Sequence, residues 1–167
     1  MQTQSRHLIV AVALSVFGLT ALAGPDSHTA PFASVGKWTL NVEKSKADTG
    51  ALVLKSETRM YEDWGGGVIH GVFEGIDSQG QPLYREYAAR FDGKDYPWVR
   101  KGSPSVYTQS FKRINNRTAE FTSKRDGQVY QTGKTTVSPD GKTMTITYKA
   151  TTAQGEPISG TLVFDKQ

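Results

Sequence analysis

The chain has 167 residues, no cysteine and a formal net charge of +4, and 22% of its residues are charged. Without cysteine there is no thiolate nucleophile, no disulfide and no zinc site that depends on thiolate ligands. The small positive charge indicates no particular partner, and the length suffices for one domain with a hydrophobic core.

The N-terminus has the three parts of a cleavable signal peptide in the expected order. Arg6 gives a positive start, residues 8–17 are apolar, and Ala21-Leu22-Ala23 supplies small residues for cleavage. The alternative is a membrane anchor, but residues 8–23 fall short of the ~20 apolar residues that cross a bilayer. We therefore predict a signal peptide over residues 1–23 and an exported protein, periplasmic or extracellular. No cysteine is present for lipid attachment.

Residues 24–34 are predicted to be a flexible leader, and residues 35–167 a single β-barrel domain. In this domain apolar and polar residues alternate, and turn residues interrupt the alternation about every ten positions. The pattern predicts nine strands and no amphipathic helix, with strands at residues 38–42, 52–61, 68–76, 83–91, 106–114, 119–124, 129–137, 144–148 and 158–164. Such a meander removes its exposed edges most simply by closing into a single antiparallel up-and-down β-barrel.

Gly36-Lys37-Trp38 opens the first strand and resembles the Gly-x-Trp opening of the calycin group, the lipocalins and fatty-acid-binding proteins. In that group the tryptophan closes the base of the barrel. The chain lacks the lipocalin Thr-Asp-x-x-x-Tyr segment. It also resembles a group of short exported bacterial proteins of largely unknown function, through GKWTLNVEKSK, RFDGKDYP, SFKRINNRT and SPDGKTMTIT. This resemblance implies a lipocalin-like barrel and carries over no catalytic residue.

His70 is the single histidine of the predicted domain, because the other two precede residue 35. One histidine cannot build a zinc site, which takes three or four protein ligands, so we expect no metal. With Glu62, Asp63 or Glu74 beside it, His70 could act as a general base, although no Gly-x-Ser-x-Gly motif accompanies it. The alternative is a hydrogen-bonded residue of the barrel wall.

Arg85 shares the phase of Leu83 and Tyr87, which is the more apolar side of its strand. An arginine on an inner face must pair with an acid or bind a ligand, because burying an unpaired charge is costly. It would either anchor a carboxylate or phosphate head group or form an ion pair with Glu74. If the strand phase is the opposite one, Arg85 faces water and Arg90 lies inside.

Residues 92–104 are rich in glycine, proline and aromatic residues and are predicted to form a loop at the rim of the barrel. Tyr96, Trp98, Arg100 and Lys101 make this loop both basic and aromatic, which suits a glycan, a lipid head group or a protein partner. The alternative is a loop held over the barrel end by its own aromatic side chains.

The leading functional hypothesis is an exported binding protein for a small apolar or amphipathic molecule. Tyr87, Phe121 and Tyr148 would line the barrel wall, while Arg85 or His70 holds a polar head group. We expect a monomer that uses no cofactor, contains no membrane span and binds no nucleic acid.

A second hypothesis is an interaction module of the cell envelope. Residues 85–125 contain ten Lys or Arg against four Asp or Glu, and such asymmetry can mark an anionic partner. Solvated strand faces would give the same count. A third hypothesis is a hydrolase that uses His70 as its base, but no catalytic residue is assigned.

Overall fold

The computed structural model describes residues 32–48, 52–152 and 154–167. The predicted signal peptide and residues 24–31 of the predicted leader lie outside these ranges. No helix in the described part of the chain is long and apolar enough to cross a membrane. The described residues form eleven strands: β1 Gly36–Leu40, β2 Lys46–Ala47, β3 Leu54–Asp63, β4 Val68–Asp77, β5 Pro82–Arg90, β6 Asp92–Arg100, β7 Tyr107–Asn115, β8 Thr118–Arg125, β9 Gln128–Val137, β10 Thr143–Thr151 and β11 Pro157–Lys166.

The strands form one closed antiparallel sheet. From β3 to β11 each strand pairs with the next along the chain, and β1 closes the ring by pairing with both β3 and β11. On β1, Trp38 lies opposite Arg59 on one side and Lys166 on the other. The two-residue strand β2 pairs with β11 alone among the described strands. The predicted all-β, antiparallel up-and-down barrel is therefore confirmed, with ten strands in the ring.

The predicted strand number was too low, because β2 and β6 were missed. Strand β6 occupies the stretch predicted to be a rim loop. Its residue Trp98 lies opposite Tyr87 of β5 on one side and opposite Tyr107 of β7 on the other. A register shift between Asp92 and Asp95 interrupts its alternation. Pro97 further obscures the strand, because proline has no N–H for the sheet and is typical of edges and bulges.

One end of the barrel is filled with side chains. Phe32, Trp38 and Phe164 are fully buried there. The Trp38 indole N–H donates to the carbonyl of Ser34 at 2.6 Å, and the Lys166 ammonium lies 5.2 Å from the Trp38 ring centroid. Burying a side chain of this size contributes about 2–3 kcal/mol. Because Phe32 and Ser34 are buried, the packed domain includes residues that precede the predicted boundary at residue 35.

Candidate functional site

A cavity of about 490 Å³ lies inside the barrel, above the filled end. Its mouth is formed where three strands end: residues 77–79 at the end of β4 and just beyond it, Arg100 at the end of β6, and residues 151–152 at the end of β10 and just beyond it. Pockets that enclose small ligands usually measure about 300–1,000 Å³, so the space fits a molecule of that class.

The wall is shaped by aromatic side chains that lie over glycines of neighbouring strands. In the sheet register these pairs are Tyr87 with Gly71, Phe121 with Gly133 and Tyr148 with Gly160. A methyl group added at Gly71 would lie 2.8 Å from the Tyr87 ring, which shows how closely the ring covers the backbone. The glycines thus let large rings settle against the wall and leave the centre of the barrel open.

A charged cluster stands on β3 and β5 within this aromatic wall. The Glu57 side chain is fully buried, and its Oε1 accepts a hydrogen bond of 2.6 Å from Nε of Arg59. Its Oε2 accepts a hydrogen bond from Nη2 of Arg85. The Arg59 guanidinium lies 4.4 Å from the ring centroid of Phe73 and 4.5 Å from that of Phe164. Both carboxylate oxygens of Glu57 are therefore engaged, each by a different cation.

Glu57 and Arg59 are both ionised at neutral pH. Burial alone would raise the pKa of Glu57, but the charges and hydrogen bonds of Arg59 and Arg85 outweigh it and hold this pKa below its usual range. Burial acts to lower the pKa of Arg59, but the Glu57 carboxylate acts in the opposite direction, and the net effect is a raised pKa. Burial raises the pKa of Tyr61 and of Tyr87, so both phenols stay protonated. Two guanidinium groups thus face one carboxylate.

Two buried donors of the cavity wall have no hydrogen-bond partner among the described residues: Trp98 Nε1 and Arg85 Nε. Trp98 lies opposite Tyr87 in the register of β5 and β6, and Arg85 lies two positions before Tyr87. The two side chains are therefore diagonal neighbours on one wall, with Cα atoms about 7–8 Å apart. An unmet buried donor carries a desolvation cost, so this part of the wall is suited to an acceptor.

Four of the five side chains predicted to bind a ligand line the cavity: Arg85, Tyr87, Phe121 and Tyr148. The phase that places Arg85 inside is the one observed, and Arg90 is exposed. The partner of Arg85, however, is Glu57 rather than the predicted Glu74, which is exposed on the other face of β4.

The prediction that His70 faces the cavity is wrong, because it lies on the outer face of β4, next to the inward, buried Ile69. Its Nδ1 is 3.2 Å from Glu62, its Nε2 is 3.0 Å from Glu86, and its ring stacks on Trp64 with centroids 4.1 Å apart. Its hydrogen bond lowers the pKa of Glu62. His70 is thus a hydrogen-bonded residue of the outer wall. Within the described residues no group of His, Asp or Glu could hold a metal ion.

Sequence reasoning missed Arg59 and Trp98 as cavity residues, and it missed the buried Glu57 that pairs with Arg59. Every second residue of this part of β3 faces the same side of the sheet, which would have placed Glu57, Arg59 and Tyr61 together on one face. A register shift between Leu54 and Ser56 reverses the phase of the strand, so Leu54 no longer indicates which of these residues point inward.

No family model matches the chain, and no curated protein matches it. Its fold is similar to that of solved barrels. Rv2717c from M. tuberculosis superposes with a TM-score of 0.51 at 9% identity, over 81% of this chain and 93% of that chain. EF1p2_mFAP2b bound to DFHBI gives 0.48 at 10% identity, over 84% and 98% of the two chains. A redesigned β-barrel, mFAP1, bound to DFHBI gives 0.38 at 14% identity, over 80% and 95%.

Proposed function

We propose that the protein is an exported, lipocalin-like binding protein that encloses a small amphipathic molecule in its barrel. The observation that supports this most is the cavity of about 490 Å³, which is closed at one end by Trp38 and open at the other. A cavity of this size with one open end is the usual form of a site that encloses a small ligand.

The lining supports an amphipathic rather than a purely apolar ligand. Aromatic and aliphatic side chains form most of the wall, while Arg59, Arg85 and Gln109 supply polar groups in its interior. Pockets that bind small molecules combine a mainly apolar wall with a few polar groups that orient the ligand. The proposed mechanism is encapsulation, with the apolar part among the rings and the polar part on the arginines.

The envelope-docking hypothesis has less support, because the central basic region does not form one free surface. Arg85 turns into the cavity, and the Lys124 ammonium lies 2.6 Å from Asp95. On the outer face of β8, Glu120 lies between Lys112 and Lys134 in the sheet register. These pairings reduce the net positive charge that a docking partner would meet.

The proposal is tested by native mass spectrometry and solvent extraction of the purified protein, followed by titration with a panel of hydrophobic dyes and lipids. Ala150 lines the cavity, so Ala150→Phe should fill part of it and weaken binding. Lys149→Phe places the same side chain on the opposite, exposed face of β10 and serves as the matched control. The proposal fails if nothing co-purifies and no probe shows saturable binding, or if both variants bind like the wild type.

A further inference from the structure

The polar groups of the cavity define the class of its ligand more narrowly. We propose that the cavity binds a planar aromatic carboxylate, which accepts hydrogen bonds from Trp98 Nε1 and Arg85 Nε through its carboxylate. This inference rests on the proposed function and adds two requirements to it: the ligand carries a negative charge, and its apolar part is a flat ring system.

The requirement for negative charge follows from the charge balance inside the barrel. Glu57 is the single buried carboxylate among the described residues, and it is shared between Arg59 and Arg85. One negative charge therefore serves two cations, and both of its oxygens are already engaged. The cavity keeps an excess positive charge on Arg85, whose side chain is 22% exposed and therefore only partly solvated, so an anion in the cavity would be attracted to it.

The two unpartnered donors belong to side chains that line the cavity, and the anion would bind where these side chains turn their donors toward it. Trp98 is only 7% exposed, and its indole N–H has no acceptor among the described residues. Nε of Arg85 is likewise buried without an acceptor, although Nη2 of the same side chain donates to Glu57. A carboxylate has two oxygens and accepts hydrogen bonds only, so it can satisfy both donors and balance the excess charge at once.

The requirement for a flat ring system follows from the rest of the lining. Eight of the side chains around the cavity are aromatic: Tyr61, Phe73, Tyr87, Trp98, Phe111, Phe121, Tyr130 and Tyr148. The Tyr87 ring already packs on Phe111 with centroids 4.9 Å apart, and Trp98 packs on Tyr107 at 4.6 Å. Rings favour other rings in offset or edge-on contact, which a flexible alkyl chain cannot make.

The test uses three probes in isothermal titration calorimetry at neutral pH: naphthalene-2-carboxylate, naphthalene-2-carboxamide and decanoate. The carboxamide keeps the ring and removes the charge, whereas decanoate keeps the charge and removes the ring. We expect the naphthalene carboxylate to bind about 10- to 100-fold more tightly than its amide, as hydrogen bonds to a charged group imply. Decanoate should also bind more weakly than the naphthalene carboxylate.

Two variants connect this preference to the named donors. Trp98→Phe removes the indole N–H and keeps an aromatic ring, so the carboxylate should lose about tenfold in affinity or more, while the amide loses less. Arg85→Gln leaves Glu57 paired with Arg59 and removes the excess charge, so the preference for carboxylate over amide should disappear. Trp64→Phe is the control, because Trp64 lies on the outer surface and is 58% exposed.

The outcomes separate this inference from the proposed function. If the probes bind saturably but the carboxylate has no advantage over the amide, or Trp98→Phe behaves like Trp64→Phe, the anion site is refuted and the binding function stands. If decanoate binds more tightly than the naphthalene carboxylate, the aromatic requirement is refuted. If no probe binds and nothing co-purifies, the proposed function fails together with this inference.

Discussion

Replacing Glu57 with glutamine keeps the size of the side chain and removes the negative charge that Arg59 and Arg85 share. Glu57 is fully buried, so the variant leaves two cations close together without their counter-ion. Removing one partner of a buried ion pair costs about 3–5 kcal/mol. The Arg85 side chain is 22% exposed and keeps part of its solvation, so we expect the lower end, about 3 kcal/mol. In a domain of this size that corresponds to a fall in Tm of roughly 10 °C.

The assay is urea unfolding at neutral pH, followed by far-UV circular dichroism, on the wild type and Glu57→Gln. Glu120→Gln is the matched control, because Glu120 is exposed on the outer face of β8. The same substitution there should change the free energy of unfolding by less than about 1 kcal/mol. If Glu57→Gln destabilises the protein no more than Glu120→Gln does, the buried cluster does not stabilise the barrel as argued.

Four further predictions concern the buried cluster, the glycines of the barrel wall and His70. Since the arginines lower the folded-state pKa of Glu57, its stabilising contribution is complete above the usual carboxylate range, near pH 4–5, and is lost as the pH falls through the lowered value. The stability difference between wild type and Glu57→Gln should therefore shrink in urea titrations on acidification, and a constant difference would contradict this. Gly71→Ala should push the Tyr87 ring into the cavity, destabilise the fold by about 1–3 kcal/mol and weaken ligand binding. Gly133→Ala should lower the free energy of unfolding by more than Gly71→Ala in the same assay, because its added methyl group also meets a backbone carbonyl. The reverse order would show that the backbone at Gly133 can shift to make room for the methyl group. His70→Ala should leave ligand affinity in calorimetry unchanged, since His70 lies outside the barrel, and a large loss would show that its assigned face is wrong.

Much of the fold follows from local chemistry that a sequence displays directly. The Asp126-Gly127 turn predicts a hairpin because both residues must adopt positive φ, and they do so at 51° and 79°. The alternation of Leu83, Arg85 and Tyr87 placed these side chains on the correct face of β5, because no bulge interrupts its pairing with β4.

The charged cluster could not be predicted in the same way, because a bulge carries no sequence signature of comparable strength. Leu54 and Met60 share a phase and would place Glu57 outside, yet the shift after Leu54 leaves Met60 39% exposed and turns Glu57 inward. A slip of one residue exchanges the two faces of a strand, so a single irregularity reverses the prediction for everything beyond it. His70 was misplaced because a histidine suits either face of a strand, and its neighbours in sequence do not reveal its cross-strand partners.

The ring is closed by the pairing of β1 with β11, so the barrel is complete only when both strands are in place. Strand β11 completes the wall against β1, and the Lys166 ammonium donates to the carbonyl of Val35 beside the buried Trp38. The contact that seals the barrel thus joins positions more than a hundred residues apart, and such distant pairings are slow to form. Without Pro157–Lys166 the ring has no strand between β10 and β1. We therefore expect a chain cut before β11 to expose two open sheet edges, which can pair with other chains and lead to aggregation.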